Sequence, residues 1–238
     1  MEKLSHFLKT IHAPYIRKIR TFIMRTIHNR ESYLASLSIK PISTKYGFDR
    51  GQPIDRVYIE KFLRNKQERI KGVCLEVVDG TYTKKFGGTK VTKSDVIDIF
   101  KSQKANIHGD LRNLHGVIPD NTYDTIILTQ TLNLIDDYES AIRECKRILK
   151  PKGILLATLP TISPAWNLKI NLWRFSLQSA KYVFKKYFES NKLEIISFGN
   201  RLSAESFWLG MSAEDLTIEE LLKEEQVTPL IIGVIAVK

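Results

Sequence analysis

Between Gly72 and Pro160 short apolar runs alternate with charged or amphipathic stretches, and this alternation constrains the fold more than any other feature. The runs at Val73–Val78, Lys90–Ser94, Asn106–His108, Thr125–Thr129 and Ile154–Leu159 read as strands. Between the last two, Asp137–Leu149 places Ala141, Ile142, Cys145, Ile148 and Leu149 on one helical face. Lys and Arg fill its final turns, and Pro151 and Gly153 stop it. Strands separated by helices imply βαβ units and a parallel sheet. Helices are expected over Ile54–Ile70 and Ser176–Phe188, and two more strands at Leu193–Phe198 and Leu230–Val237. Only eleven residues separate the first two strands, so the crossover there has room for one or two helical turns from Thr81.

A chain of 238 residues that is 43% hydrophobic can bury a full core. No apolar run approaches the ~20 residues that span a bilayer. Met1–Arg30 lacks the apolar stretch and cleavage site of a secretory signal. Cys74 and Cys145 sit in an apolar strand and on a helix, with nothing at metal-ligand spacing beside them. Two buried thiols, no metal and a cytoplasmic setting are the expectations. The net charge of +11 is concentrated early: residues 1–40 hold eight Lys/Arg against two Glu. Ile16, Ile19, Phe22, Ile23 and Ile27 share one helical face there, with Arg17, Arg20 and Arg25 mostly off it. Such a helix packs on its own domain, docks on a partner protein or lies peripherally on the inner membrane surface. A nucleic-acid partner is disfavoured, because no aromatic-basic reading platform accompanies the charge. The expected organisation is a basic helical arm over 1–44 and one domain over 45–238. Within that domain, 45–70 is a lid segment, 71–160 a cofactor-binding half and 161–238 an acceptor half.

In a parallel sheet, ligands lie beyond the carboxyl ends of the strands, where strand order reverses. The first strand ends in Glu76-Val77-Val78-Asp79-Gly80-Thr81-Tyr82. Asp95 lies nineteen positions after Glu76, at the expected end of the second strand, where a carboxylate can accept both hydroxyls of a ribose. Gly109-Asp110-Leu111 follows the third strand, and Asp124–Asn133 forms the fourth strand and its exit.

This order resembles the class I S-adenosylmethionine-dependent methyltransferases. The resemblance implies a Rossmann-like, seven-stranded, mostly parallel α/β sheet whose last two strands pair antiparallel. It implies S-adenosylmethionine as cofactor and S-adenosylhomocysteine as product. By position, the cofactor residues would be Glu76, Val77, Val78, Gly80 and Tyr82, then Asp95 and Val96, then Asp110 and Leu111, then Thr129 and Gln130. The family pattern after the first strand is acidic-x-Gly-x-Gly-x-Gly, its glycines letting backbone approach the methionine part of the cofactor. Here Glu76 and Gly80 match, while Val78 and Tyr82 occupy the outer two glycine positions. Asn133-Leu134 stands where many relatives carry Glu-His, so no general base carries over.

The segment Tyr46–Glu60, with Trp173-Arg174-Phe175, is similar to a methyltransferase-domain subgroup associated with glycan-type biosynthesis. Its two Asp-Arg pairs suggest either a lid over the cofactor or an ion-pair clamp within the protein. Asp49, Asp55 and Tyr58 are weak catalytic candidates. Arg50, Arg56, Trp173 and Arg174 are acceptor candidates. The expected function is methyl transfer to an oxygen or nitrogen of a small-molecule or glycan-type acceptor. The alternative is a non-catalytic module in a glycan or membrane assembly, its cofactor site closed by Val78 and Tyr82. Methylation of nucleic acid lacks the Asn/Asp-Pro-Pro-aromatic clamp, since the fourth strand exits through Thr129-Gln130-Thr131-Leu132.

Overall fold

The computed structural model describes residues 40–165, 170–225 and 227–238. Residues 1–39 of the expected basic arm (1–44), and Trp166, lie outside the described residues. Ile42–Lys238 forms one compact unit. Helix α1 (Ile54–Asn65) leads into seven strands: β1 (Gly72–Val77), β2 (Val91–Asp98), β3 (Ile107–His108), β4 (Tyr123–Thr129), β5 (Leu149–Pro160), β6 (Leu193–Phe198) and β7 (Ile231–Val237). They form one sheet in the order β3-β2-β1-β4-β5-β7-β6. Neighbours from β3 to β5 run parallel, and β7 inserts antiparallel between β5 and β6. The chain leaves β1 toward one edge and returns at β4 toward the other. The cleft where strand order reverses therefore opens above β1 and β4.

Side-chain alternation divides the core between two faces. Leu75, Ile126 and Leu155 point to one face, under α2 (Tyr138–Ile148) and α3 (Leu177–Phe184). Cys74, Ile127 and Leu156 point to the other, under α1 and α4 (Arg201–Trp208). The middle strands β4 and β5 are covered on both faces, which explains why their sequence is a continuous apolar run rather than an alternation. Beside them, the ring of Phe62 lies flat against Gly233 of β7, where a Cβ would stand 2.6 Å from the ring. Both cysteines are buried and free; burial pushes Cys74 up to about 11 and Cys145 to about 12. Among the described residues no helix is long and apolar enough to cross a membrane.

Several boundaries move from their expected places. The strand expected over Lys90–Ser94 continues to Asp98, because Asp95, Val96 and Ile97 are buried against β1 and β3. The helix expected to Ile70 ends at Asn65 and is followed by a 3-10 turn at Gln67–Arg69. The expected Ser176–Phe188 helix is shorter, with Ser176 and Ser179 forming its capping box. Helices α4 and α5 (Ile218–Leu222) occupy a stretch for which no element was expected. The narrow crossover after β1 is a π-helical turn at Thr83–Gly87 and a 3-10 turn at Gly88–Lys90.

Candidate functional site

The loop leaving β1 is held from beneath. Glu76 is buried and spends both carboxylate oxygens on that loop: Oε1 accepts from the Tyr82 amide at 3.1 Å and Oε2 from the Thr83 amide at 2.7 Å. Burial raises its pKa, and the two amides oppose that rise. The Val78 amide donates to Ile97 O at 2.9 Å, tying the loop to β2. Gly80 closes against Val96, whose Cγ2 would lie 3.2 Å from a Cβ at that position. Val96 itself is buried under the loop, and Val77 ends β1 half-buried. Glu76 therefore shapes the loop rather than presenting a free carboxylate to a ligand.

Val78 adopts φ 74°. A β-branched residue is an outlier in that left-handed region, which costs roughly 1–2 kcal/mol. The chain thus follows the path a glycine would take while carrying a valine, whose side chain is 54% exposed at the mouth. Across the cleft Gln130 also has positive φ, 51°, directly after β4. Its backbone amide donates to Thr158 O at 3.1 Å, while its side-chain Nε2 is buried without a partner among the described residues. Thr129, the last residue of β4, pairs with Thr158 of β5. Two strained residues flank the point where strand order reverses, which is where stored strain accompanies binding sites.

The structure corrects the position of Asp95. It lies inside β2, level with Leu75, and is 2% exposed. Burial pushes its carboxyl up, but Lys93 Nζ at 2.9 Å, Asn106 Nδ2 at 2.7 Å and Tyr123 OH at 3.1 Å outweigh that and hold it below the usual range. Both of its oxygens are bonded within the sheet and it is almost wholly covered, which does not suit it to receive a ribose. The carboxylate at the end of β2 is Asp98, which the sequence reading missed. It is half-buried, and among the described residues only its Oδ1 is engaged, by the Phe100 amide at 3.0 Å. Ile99 and Phe100 follow it, the latter 76% exposed, and offer apolar surface beside that carboxylate. The signal was present: Val96-Ile97 extends the apolar run past Asp95 and moves the strand end three residues on.

After β3, Gly109 leaves room for Leu114 and Val117, and Leu111 is buried. Asp110 grips Arg112 through both oxygens, and Arg112 reaches Asp136 at 2.7 Å. The guanidinium beside it holds the Asp110 carboxyl below its ordinary range. This loop is prebuilt by a surface ion network, with Asp110 partly committed to Arg112.

The two Asp-Arg pairs separate. Asp49 accepts from Ser43 Oγ at 2.7 Å, and Arg50 forks onto Asp215 at 2.7 and 2.9 Å. With Gln52 bonded to Glu214 and Pro53 paired with Ser212, residues 43–53 form a clasp with 209–215. In the second pair, Asp55 Oδ1 is buried without a partner among the described residues. Arg56 reaches the hydroxyl of Tyr82 at 3.2 Å and feels the charge of Asp79. Tyr58 is fully buried, its hydroxyl donating to Leu221 O at 2.7 Å. It is a core residue, whereas Asp49 is exposed and held by Ser43. Trp173 packs edge-on to Tyr138 and donates to Ile135 O, while Arg174 bonds Asn171, Trp173 O and Ser163 O. Both acceptor candidates brace the loop after β5.

These features fit a nucleoside with an amino-acid tail. Asp98 offers a free oxygen to a diol, Ile99 and Phe100 offer apolar surface to a base, and the β1 loop keeps a glycine-like path toward the tail. A methyltransferase-domain family model matches residues 79–157, about a third of the chain. The curated relatives include a demethylmenaquinone methyltransferase of Staphylococcus epidermidis, 32% identical over 88 residues, which are 37% of this chain and 35% of that protein. One of the same name from Listeria monocytogenes is 31% identical over 113 residues, 46% of this chain and 43% of that protein. The chain thus spans less than half the length of these relatives. Among solved structures, a SAM-dependent methyltransferase from Archaeoglobus fulgidus superposes with a TM-score of 0.53 at 13% identity, covering 77% of this chain and 94% of that one. A SAM-dependent methyltransferase from Thermotoga maritima, described as a possible histamine N-methyltransferase, gives 0.52 at 17%, covering 78% and 91%. The fold is the Rossmann-like one of class I methyltransferases. The matched model describes a methyltransferase domain, and both of those solved structures are of SAM-dependent methyltransferases.

Proposed function

We propose that this chain transfers the methyl group of S-adenosylmethionine to an oxygen or nitrogen of a small-molecule or glycan-type acceptor. The observation that carries the reading is the β1 exit: Glu76 spends both oxygens to hold a loop in which Val78 accepts a strained, glycine-like backbone. A fold kept only for docking has no use for that strain.

Bound at the strand ends, the cofactor supplies an electrophilic methyl on a sulfonium. The chain's own contribution is placement. Asp98 accepts from the ribose hydroxyls through its free oxygen, and Ile99 and Phe100 cover one face of the base. Asp110 and the Leu111 amide meet the base edge. Gln130 offers its unpartnered amide from the opposite wall of the cleft. The clasp of residues 43–53 on 209–215 fixes the N-terminal end of α1 over the mouth and limits the entry of water. The acceptor's proton has no assigned recipient among these residues.

Demethylmenaquinone belongs in the acceptor screen because the curated relatives bear its name, alongside amines, hydroxylated aromatics and sugars. The test follows transfer of isotopically labelled methyl from S-adenosylmethionine across that panel, with S-adenosylhomocysteine release as a second readout. Label in one acceptor class together with product release supports the reading. Folded protein that binds neither nucleoside overturns it in favour of the non-catalytic module, which the side chains of Val78 and Tyr82 at the outer glycine positions would then explain.

A further inference from the structure

The first turn of α1 carries an acid and a base side by side, Asp55 and Arg56, both half-buried and incompletely bonded. Asp55 Oδ1 has no partner among the described residues, and burial pushes the carboxyl up despite the adjacent Arg56. The Arg56 guanidinium has five donors, and among the described residues only one side-chain bond uses them, to the Tyr82 hydroxyl at 3.2 Å. An acceptor atom left unmet inside a protein costs about 1–3 kcal/mol, so Asp55 Oδ1 gains from a donor that a ligand brings, and the half-exposed Arg56 has donors to spare beside it. The contrast with Arg50, forked onto Asp215, shows that the same segment can satisfy an Asp-Arg pair when the pair is structural.

The position of this pair is informative. Arg56 reaches over the loop that leaves β1, bonding Tyr82 and feeling Asp79. In that loop Val78 and Tyr82 carry side chains where glycines would let backbone approach a ligand. The tail of the cofactor therefore loses main-chain contacts at the place where Asp55 and Arg56 provide charged ones. An α-amino acid tail is a zwitterion, and an anion beside a cation is its complement.

We infer that Asp55 and Arg56 hold the amino-acid end of the cofactor, Asp55 accepting from its ammonium and Arg56 donating to its carboxylate. The inference rests on the cofactor reading above. It moves these two residues from proton transfer and acceptor binding to positioning of the sulfonium.

The test titrates S-adenosylhomocysteine and 5′-methylthioadenosine, which keeps the nucleoside and sulfur but lacks the amino-acid end. Both go calorimetrically into wild type, Asp55→Asn and Arg56→Gln. Each substitution should weaken S-adenosylhomocysteine about ten- to a hundredfold, the scale of a charge-assisted hydrogen bond, and leave 5′-methylthioadenosine unchanged. The unchanged nucleoside also certifies that the variant is folded. Undiminished S-adenosylhomocysteine affinity in both variants, or equal weakening of both ligands, overturns the inference. If neither ligand binds wild type, the cofactor reading itself falls, and this one with it.

Discussion

Two Asp-Arg dipeptides lie six residues apart, and two carboxylates lie three apart on β2; in each case the fold satisfies one and leaves the other open. Arg50 is forked onto Asp215, whereas Asp55 keeps a buried oxygen without a partner. Asp95 takes three donors inside the sheet, whereas Asp98 at its end takes one. Identical chemistry does different work according to where the backbone ends. We infer that carboxylates within the sheet or in the clasp are spent on stability, and that Asp98 at the end of β2 and Asp55 in the first turn of α1 are kept for a ligand. The comparison predicts that substitutions in the first group change stability and those in the second change binding.

The largest effect belongs to the sealed side. Phe62→Ala removes a fully buried ring packed on Gly233, and should cost about 3–5 kcal/mol in denaturant unfolding. A loss below ~1 kcal/mol would mean that α1 is not part of the core, and the closed and open regions would lose their distinction. Asp95→Ala comes next. It strands the Tyr123 hydroxyl and the Asn106 amide, and about 1–3 kcal/mol of stability should go with them. Val78→Gly probes the open side from the opposite direction. Relief of the left-handed backbone, about 1–2 kcal/mol, exceeds the entropic cost of glycine, roughly 0.5–1 kcal/mol, so thermal stability should rise slightly. A fall would show that the valine packs at the mouth instead of straining it.

The smallest effect is in the clasp. The Arg50 side chain bonded to Asp215 lowers that carboxyl to about 2. An acid whose folded pKa is depressed adds stability above its unfolded pKa of ~3.9. That contribution is lost as pH falls from there through about 2. Because the pair is partly solvated, removing it with Arg50→Gln should cost under ~1 kcal/mol at neutral pH, and the variant should lose the wild type's added acid sensitivity in that window.

How much of this the sequence disclosed follows the same division. The strands, the parallel order and helix α2 were legible because apolar periodicity is a local signal that burial on both faces reinforces. Spacing marked Glu76 and Gly80 as special positions after β1, but the part Glu76 plays, bonding the Tyr82 and Thr83 amides, is a contact that spacing does not encode. The end of β2 was misread because Ser94-Asp95 looks like a polar stop. What makes Asp95 an interior residue is Tyr123 and Asn106, contributed by later segments. The clasp was hidden for a similar reason: its partner for Arg50 lies 165 residues away. Fates of charged residues depend on distant partners, which no local pattern encodes. The strain at Val78 was visible only as a departure from a glycine pattern, and the backbone angle gives it physical meaning.

The most direct test of the division between spent and open carboxylates is calorimetric titration of S-adenosylhomocysteine into wild type, Asp98→Ala and Asp95→Ala, each checked for folding. The account predicts that Asp98→Ala weakens binding about ten- to a hundredfold without a stability change beyond ~0.5 kcal/mol, while folded Asp95→Ala binds as wild type does. Binding lost in Asp95→Ala and kept in Asp98→Ala would contradict it, returning the ribose to the interior carboxylate.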